Sequence, residues 1–115
     1  MSTLGFRGED LAVNFLKKEK YKIIERNFLT RYGEIDIIAR KANIIVFVEV
    51  KTRSSPEFAQ PWEAVGFRKR KNLKAAAKIY LQQHPTPECE FRFDVISIIV
   101  DGSAQPKIEW IQEAF

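Results

Sequence analysis

The chain has 115 residues, enough for a single domain over residues 1–115 with one modest core. Hydrophobic residues make up 45% and charged residues 30%, ordinary proportions for a soluble globular protein, and the longest apolar run, Ile44 to Val48, is far too short to span a membrane. The net charge of +4 and pI near 9.3 are a mild basic bias compatible with a polyanionic partner, while a lone Cys89 excludes an intramolecular disulfide and fits a reducing compartment.

Met1 to Arg7 lacks the apolar core of a signal peptide, so a cytoplasmic protein is expected. Residues from about Gly5 to Lys18 read as a helix, with Ala12, Phe15 and Leu16 at helical spacing. Glu9 falls on or beside that apolar face. Either it faces the sheet and needs a partner, or Gly8-Glu9-Asp10 is a helix start where acids favour the macrodipole. Tyr21 to Phe28 reads as a first strand, entered through Lys17, Lys18, Lys20 and Lys22. Gly33 to Arg40 and Ile44 to Thr52 are the second and third. Both faces of Ile44–Val50 are apolar, which makes that strand central and covered on both sides. Arg53 to Gly66 is a loop, punctuated by Ser54, Ser55, Pro56 and Pro61; its Phe58 and Trp62 are read as capping the core. A second helix runs from about Phe67 to Gln83, with a stripe of Leu73, Ala76, Ala77, Tyr80 and Leu81, and ends at His84-Pro85-Thr86-Pro87. Glu90 to Val100 is a fourth strand, turned by Asp101-Gly102, and Lys107 to Ile111 a fifth. The order αβββαββ predicts an α/β fold, a mixed sheet flanked by helices.

The second and third strands carry charges where apolar residues should continue. Buried charges are costly unless they are paired or hold a metal. With Ala42-Asn43 at the tip of a tight hairpin, Lys41 pairs with Ile44, and counting outward puts Asp36 opposite Glu49 and Glu34 opposite Lys51. Opposed residues share a face with Cβ atoms roughly 5 Å apart, and residues two apart on a strand share it too. One patch thus gathers Asp36, Glu49 and Lys51, and facing carboxylates suit a hard cation such as Mg²⁺. The competing explanation is a cross-strand ion pair between Lys51 and Glu34. Ala-Asn is not a favoured two-residue turn, so a longer loop with shifted register is the competing geometry.

The second helix carries Arg68, Lys69, Arg70, Lys71, Lys74 and Lys78 with no acid between Arg68 and Leu81. Lys71, Lys74 and Lys78 share a side away from the apolar stripe, a single-sign face suited to phosphates or simply solvated. Lys69 falls on the other side, toward the sheet and the acidic patch. Arg92 and Asp94 share a face of the fourth strand and are read as a structural ion pair to a neighbouring strand. His84, the one histidine, is read as a partner for the helix dipole. There is no Ser or Cys nucleophile constellation, no zinc-type Cys/His spacing and no Gly-rich phosphate loop.

Asp36, a twelve-residue gap, and Glu49-Val50-Lys51 resemble the PD-(D/E)xK signature of restriction-endonuclease-like nucleases. The blocks Gly5-Phe6-Arg7-Gly8-Glu9-Asp10-Leu11-Ala12, Gly33-Glu34-Ile35-Asp36-Ile37-Ile38, Val46-Phe47-Val48-Glu49-Val50-Lys51-Thr52-Arg53, the Lys69…Leu73…Ala76-Ala77…Tyr80-Leu81 helix and Arg92-Phe93-Asp94-Val95 look more closely like the YraN-type bacterial family. That family is assigned to the nuclease fold and is similar in layout to archaeal Holliday-junction resolvases. The resemblance covers nearly the whole chain. It implies a restriction-endonuclease-like mixed sheet, metal-binding acids at Asp36 and Glu49, a catalytic lysine at Lys51, and the helix-borne acid of the resolvase group at Glu9. One departure is Ile35, where the signature usually has Pro. Fold membership does not prove cleavage.

The sequence therefore leads to an expected Mg²⁺- or Mn²⁺-dependent nuclease acting on DNA, branched or otherwise non-standard. Asp36, Glu49 and the Val50 carbonyl would hold the metal. Lys51 would orient water or stabilise phosphate charge, Glu9 would complete the outer shell, and Arg53, Lys69, Lys71 and Lys74 would position the backbone. Junction cleavage would favour a homodimer. The alternatives are a nucleic-acid-binding module without hydrolysis and a protein-interaction domain using Trp62, Phe58 and Trp110.

Overall fold

The computed structural model describes residues 3–54, 66–102 and 105–115. Within them run α1 (Thr3–Lys18), β1 (Lys22–Thr30), β2 (Gly33–Lys41), β3 (Ile44–Arg53), α2 (Phe67–Gln83), β4 (Glu90–Ile99) and β5 (Lys107–Ile111). The expected order αβββαββ is the observed one, and the bounds of α2 and β5 coincide with the expectation. The five strands form one mixed sheet in the order β1-β2-β3-β4-β5. Only β3 and β4 are parallel; the α2 crossover between them makes that direction possible. No described helix is long and apolar enough to cross a membrane. Phe58 and Trp62, and nearly all of the expected Arg53–Gly66 loop, lie outside the described residues.

Strand alternation splits the core. Ile37, Ala39, Val46, Val48, Ile96 and Ile98 face α1 and pack with Ala12 and Leu16. Ile38, Ile45, Phe47 and Phe93 face α2 and pack with Leu73, Ala76, Ala77 and Tyr80. Central β3 is thus covered on both sides, as its two apolar faces require. By the same parity Glu49 and Lys51 share the α2 face with Phe47.

The hairpin between β2 and β3 turns at Ala42-Asn43, and Lys41 pairs with Ile44. The shifted-register alternative is set aside. Ala42 takes φ 54°, so the turn forms with an L-residue in left-handed geometry because the apolar register on both strands holds it there. From the turn the ladder runs to Ile37–Val48.

At Asp36 the strands part. The Val50 N–H donates to Asp36 Oδ2 at 2.8 Å. The regular alternation of β2 also breaks here, since Ile35 joins the α2-side core although Ile37 belongs to the α1 side. On β1 the residue between Arg26 (opposite Ile37) and Phe28 (opposite Ile35) is Asn27, at φ 53°. Asn tolerates the left-handed region better than most residues. Across the gap, α1 comes very close to β3. A Cβ added at Gly8 would lie 1.9 Å from Thr52 Oγ1, so only glycine permits the approach that carries Glu9 to the parted strands.

Candidate metal centre

Four elements bring charged groups to the point where β2 and β3 separate. From β2, Asp36 is half-buried. Burial and then the neighbouring Glu49 carboxylate push its acid up to about 7, with a further push from Glu9, against the pull of the Val50 N–H and Lys69. From β3, Glu49 is 4% exposed, and Lys51, two residues on, lies on the same face with Nζ 3.6 Å from Glu49 Oε1. From α2, Lys69 Nζ sits 2.7 Å from the same oxygen. Burial works to lower the Lys69 ammonium, but its hydrogen bond and charge contact with Glu49, with Asp36 beyond, leave its pKa raised. Among the described residues, Glu49 Oε2 is buried without a hydrogen-bond partner. Such an orphaned charged oxygen is expensive and calls for a further ligand.

From α1 comes Glu9. Its carboxylate, that of Glu34 and that of Asp36 lie within 4.8 Å of one another. Asn27 Nδ2 donates to Glu9 Oε1 at 3.0 Å and also to Glu34 Oε1. Asp36 is therefore shared between two acidic neighbours, Glu49 on one side and the Glu9–Glu34 pair on the other. Carboxylate oxygens alone are a hard donor set, the kind Mg²⁺ and Mn²⁺ prefer.

Several sequence expectations change. The helix-start reading of Glu9 falls, because α1 begins at Thr3 and puts Glu9 and Asp10 beyond its first turn. Asp10 instead pairs with Arg26 at 2.8 Å. The Lys51–Glu34 ion pair is absent among the described contacts; Lys51 goes to Glu49 and Glu34 to Asn27. Arg92 and Asp94 are a structural pair, but along one strand rather than between two: Arg92 Nε and Nη2 each donate to Asp94 at 2.8 Å. Trp110, expected at an interface under the protein-docking reading, is committed internally. Its indole N–H donates to Asp94 Oδ2 at 2.8 Å and its ring packs edge-on against Phe15 and Tyr21. His84 caps α2 and lies 4.5 Å from the Tyr80 ring.

Lys69 points to the patch as its wheel position indicated, while Lys71 and Lys74 are exposed on α2 and Arg53 is half-buried at the end of β3. The first turn of α2 holds Phe67, Arg68, Lys69 and Arg70 and no acid. Cations there oppose the helix dipole, so the arrangement gives up some helix stability. Asn27 and the contribution of Glu34 were missed. The available signals were a strand-averse Asn inside a predicted strand and the two-residue spacing of Glu34 and Asp36.

A family model described as "Uncharacterised protein family UPF0102" matches residues 8–98, a span that includes Glu9, Asn27, Glu34, Asp36, Glu49, Lys51 and Lys69. The chain belongs to UPF0102, the YraN family. It is 53% identical over 112 residues to a UPF0102 protein of Syntrophomonas wolfei, covering 97% of this chain and 96% of the relative. A UPF0102 protein of Geobacter metallireducens is 48% identical over 113 residues, with 98% and 92% coverage. One from Rhodococcus opacus is 41% identical over 112 residues, with 97% and 95% coverage. UPF0102 membership thus extends over nearly the whole chain, and Arg92 and Asp94 also fall inside the matched span.

Proposed function

We propose that the protein is a Mg²⁺- or Mn²⁺-dependent nuclease hydrolysing phosphodiester bonds in DNA of branched or otherwise non-standard form. The observation that carries the reading is buried Glu49, its Oε2 without a partner among the described residues, beside Asp36 and two lysines under a basic helix. Asp36 and Glu49, with the Val50 carbonyl, would hold the cation. When bound, it lowers the pKa of an attacking water and screens the scissile phosphate. Lys51, held on the Glu49 face, is placed to orient that water or to stabilise charge developing on the phosphate. Glu9 would act from the outer shell, fixed by Asn27. Arg53, Lys71 and Lys74 would hold the backbone without reading its sequence.

Lys69 has a double task under this reading. It neutralises Glu49 before a cation arrives and is released toward the phosphate afterwards. Lys69→Met is therefore expected to raise Mn²⁺ affinity about tenfold, one half-exposed charge-assisted hydrogen bond's worth, and to weaken DNA binding in chelator. Calorimetric titration checks the first effect; weaker Mn²⁺ binding would show that Lys69 does not compete for Glu49.

One feature favours a second reading, a nucleic-acid-binding module without hydrolysis: Lys51 and Lys69 both already pair with Glu49 and offset its charge. A cleavage assay separates the two. Labelled single-stranded, duplex and four-way-junction DNA would be incubated with Mg²⁺, Mn²⁺ or chelator, with wild type beside Glu49→Ala. The nuclease reading expects metal-dependent products that vanish in the variant. Retarded bands with no product from any substrate would leave the binding module standing.

A further inference from the structure

Beside the carboxylates, on the flank of α2 nearest the β1–β2 turn, lies a cleft of about 630 Å³. Tyr32 and Gly33 line it from the turn, Arg68, Asn72 and Leu73 from α2, and Asp36 from β2. Tyr32 is 39% exposed, and Arg31 steadies it: the guanidinium lies 5.0 Å from the ring centre and donates to the hydroxyl at 3.1 Å. Gly33, at φ 138°, has nothing within 4 Å of where a Cβ would stand, so no side chain narrows the cleft between Tyr32 and Glu34.

We propose that this cleft receives one unpaired nucleotide adjoining the scissile phosphate, so that the substrate is DNA with unpaired or extrudable bases at the cleavage point rather than continuous duplex. The identity of the ligand as nucleic acid rests on the nuclease reading; the choice of an unpaired nucleotide rests on the cleft. Its volume is of the order of a small-molecule site, room for a single nucleotide. A base reaches such a recess only after leaving the stack. The lining has what unstacked nucleotides use: an aromatic ring for stacking, an amide at Asn72 with donor and acceptor for a base edge, and a cation at Arg68 for a neighbouring phosphate. Because Asp36 belongs to both cleft and acidic cluster, a nucleotide seated here brings its own phosphate to the carboxylates.

The test is a fluorescence titration in chelator of DNA duplexes carrying 2-aminopurine at the centre, either fully paired or inside a short single-stranded gap. Wild type would be compared with Tyr32→Ala and Tyr32→Phe. The gapped DNA is expected to bind roughly tenfold more tightly to wild type, with quenched fluorescence; Tyr32→Ala should lose that advantage and Tyr32→Phe keep it. Duplex affinity should be the same for all three proteins. Equal wild-type affinity for both DNAs, or an equal loss on both in Tyr32→Ala, overturns the proposal. A gap preference without metal-dependent cleavage in the separate assay would sink the nuclease reading alone. Cleavage without a gap preference would sink this inference alone. No DNA binding at all would end both.

Discussion

Asp36→Asn is expected to abolish metal-dependent cleavage and to make the protein more stable than wild type at pH 8. Under the nuclease reading, the loss of cleavage follows from removing a charged oxygen that would hold the cation, worth several kcal/mol at the transition state, hence a fall of roughly 10³-fold or more. The gain in stability follows from burial. Desolvation first, then the Glu49 charge, lift the Asp36 acid from 3.8 to about 7 in the folded protein. A carboxyl with a raised folded-state pKa binds its proton more tightly folded than unfolded. Its favourable contribution is complete below pH 3.8 and is lost as pH rises through about 7. Above that, wild type bears the cost of an ionised Asp36, on the order of 2–4 kcal/mol. Asn keeps the size and an oxygen to accept the Val50 N–H. Urea denaturation in chelator at pH 4.5 and pH 8 should show the advantage of the variant growing with pH. An advantage of the same size at both values would dismiss Asp36 ionisation as its source. Mn²⁺ should reverse the order by stabilising wild type alone, with an affinity that climbs as pH passes 7.

Asp94→Ala is expected to cost about 3–5 kcal/mol, the penalty for removing a fully buried anion and leaving its part-buried cation unpaired. Asp94 is fully buried and takes four hydrogen bonds: two from Arg92 at 2.8 Å, one from the Trp110 indole at 2.8 Å and one from the Glu113 N–H at 3.1 Å. The bidentate contact with Asp94, helped by the Tyr21 hydroxyl at 3.2 Å, raises the Arg92 guanidinium further above its already high pKa. The Trp110 and Glu113 bonds tie β5 and the C-terminal residues to β4. A protein of this size has only about 5–15 kcal/mol of total stability, so the variant should be partly unfolded at 37 °C. Thermal and urea unfolding would measure the loss; a change below about 1 kcal/mol would mean that solvent reaches Arg92 and replaces the carboxylate.

The two aspartates show how environment assigns a role. Asp94 is saturated by donors and is structural. Asp36 has one described N–H donor, acidic neighbours on two sides and an open cleft, so its charge is available to a ligand.

The element order, the central position of β3, the Lys41–Ile44 pairing and the placement of Glu49 with Lys51 were all legible in the sequence. Each follows from the two-residue period of a strand or the 3.6-residue period of a helix, and chain geometry alone sets those periods. The partners of the buried charges were not legible in the same way. The wheel indicated a direction for Lys69, but its 2.7 Å contact with Glu49 depends on how far along the sheet α2 crosses. Glu9 meets Glu34 and Asp36 because Gly8 lets α1 press against Thr52 and because Asn27, in a left-handed conformation, donates to both glutamates. Arg92 was expected to bridge strands and instead turned back on Asp94, since the Trp110 indole and the Glu113 N–H complete a pocket of donors there. Local periodicity decides which face a side chain takes. Which charge it meets is decided by where elements far apart in sequence cross, and a buried ion needs that answer before it is stable.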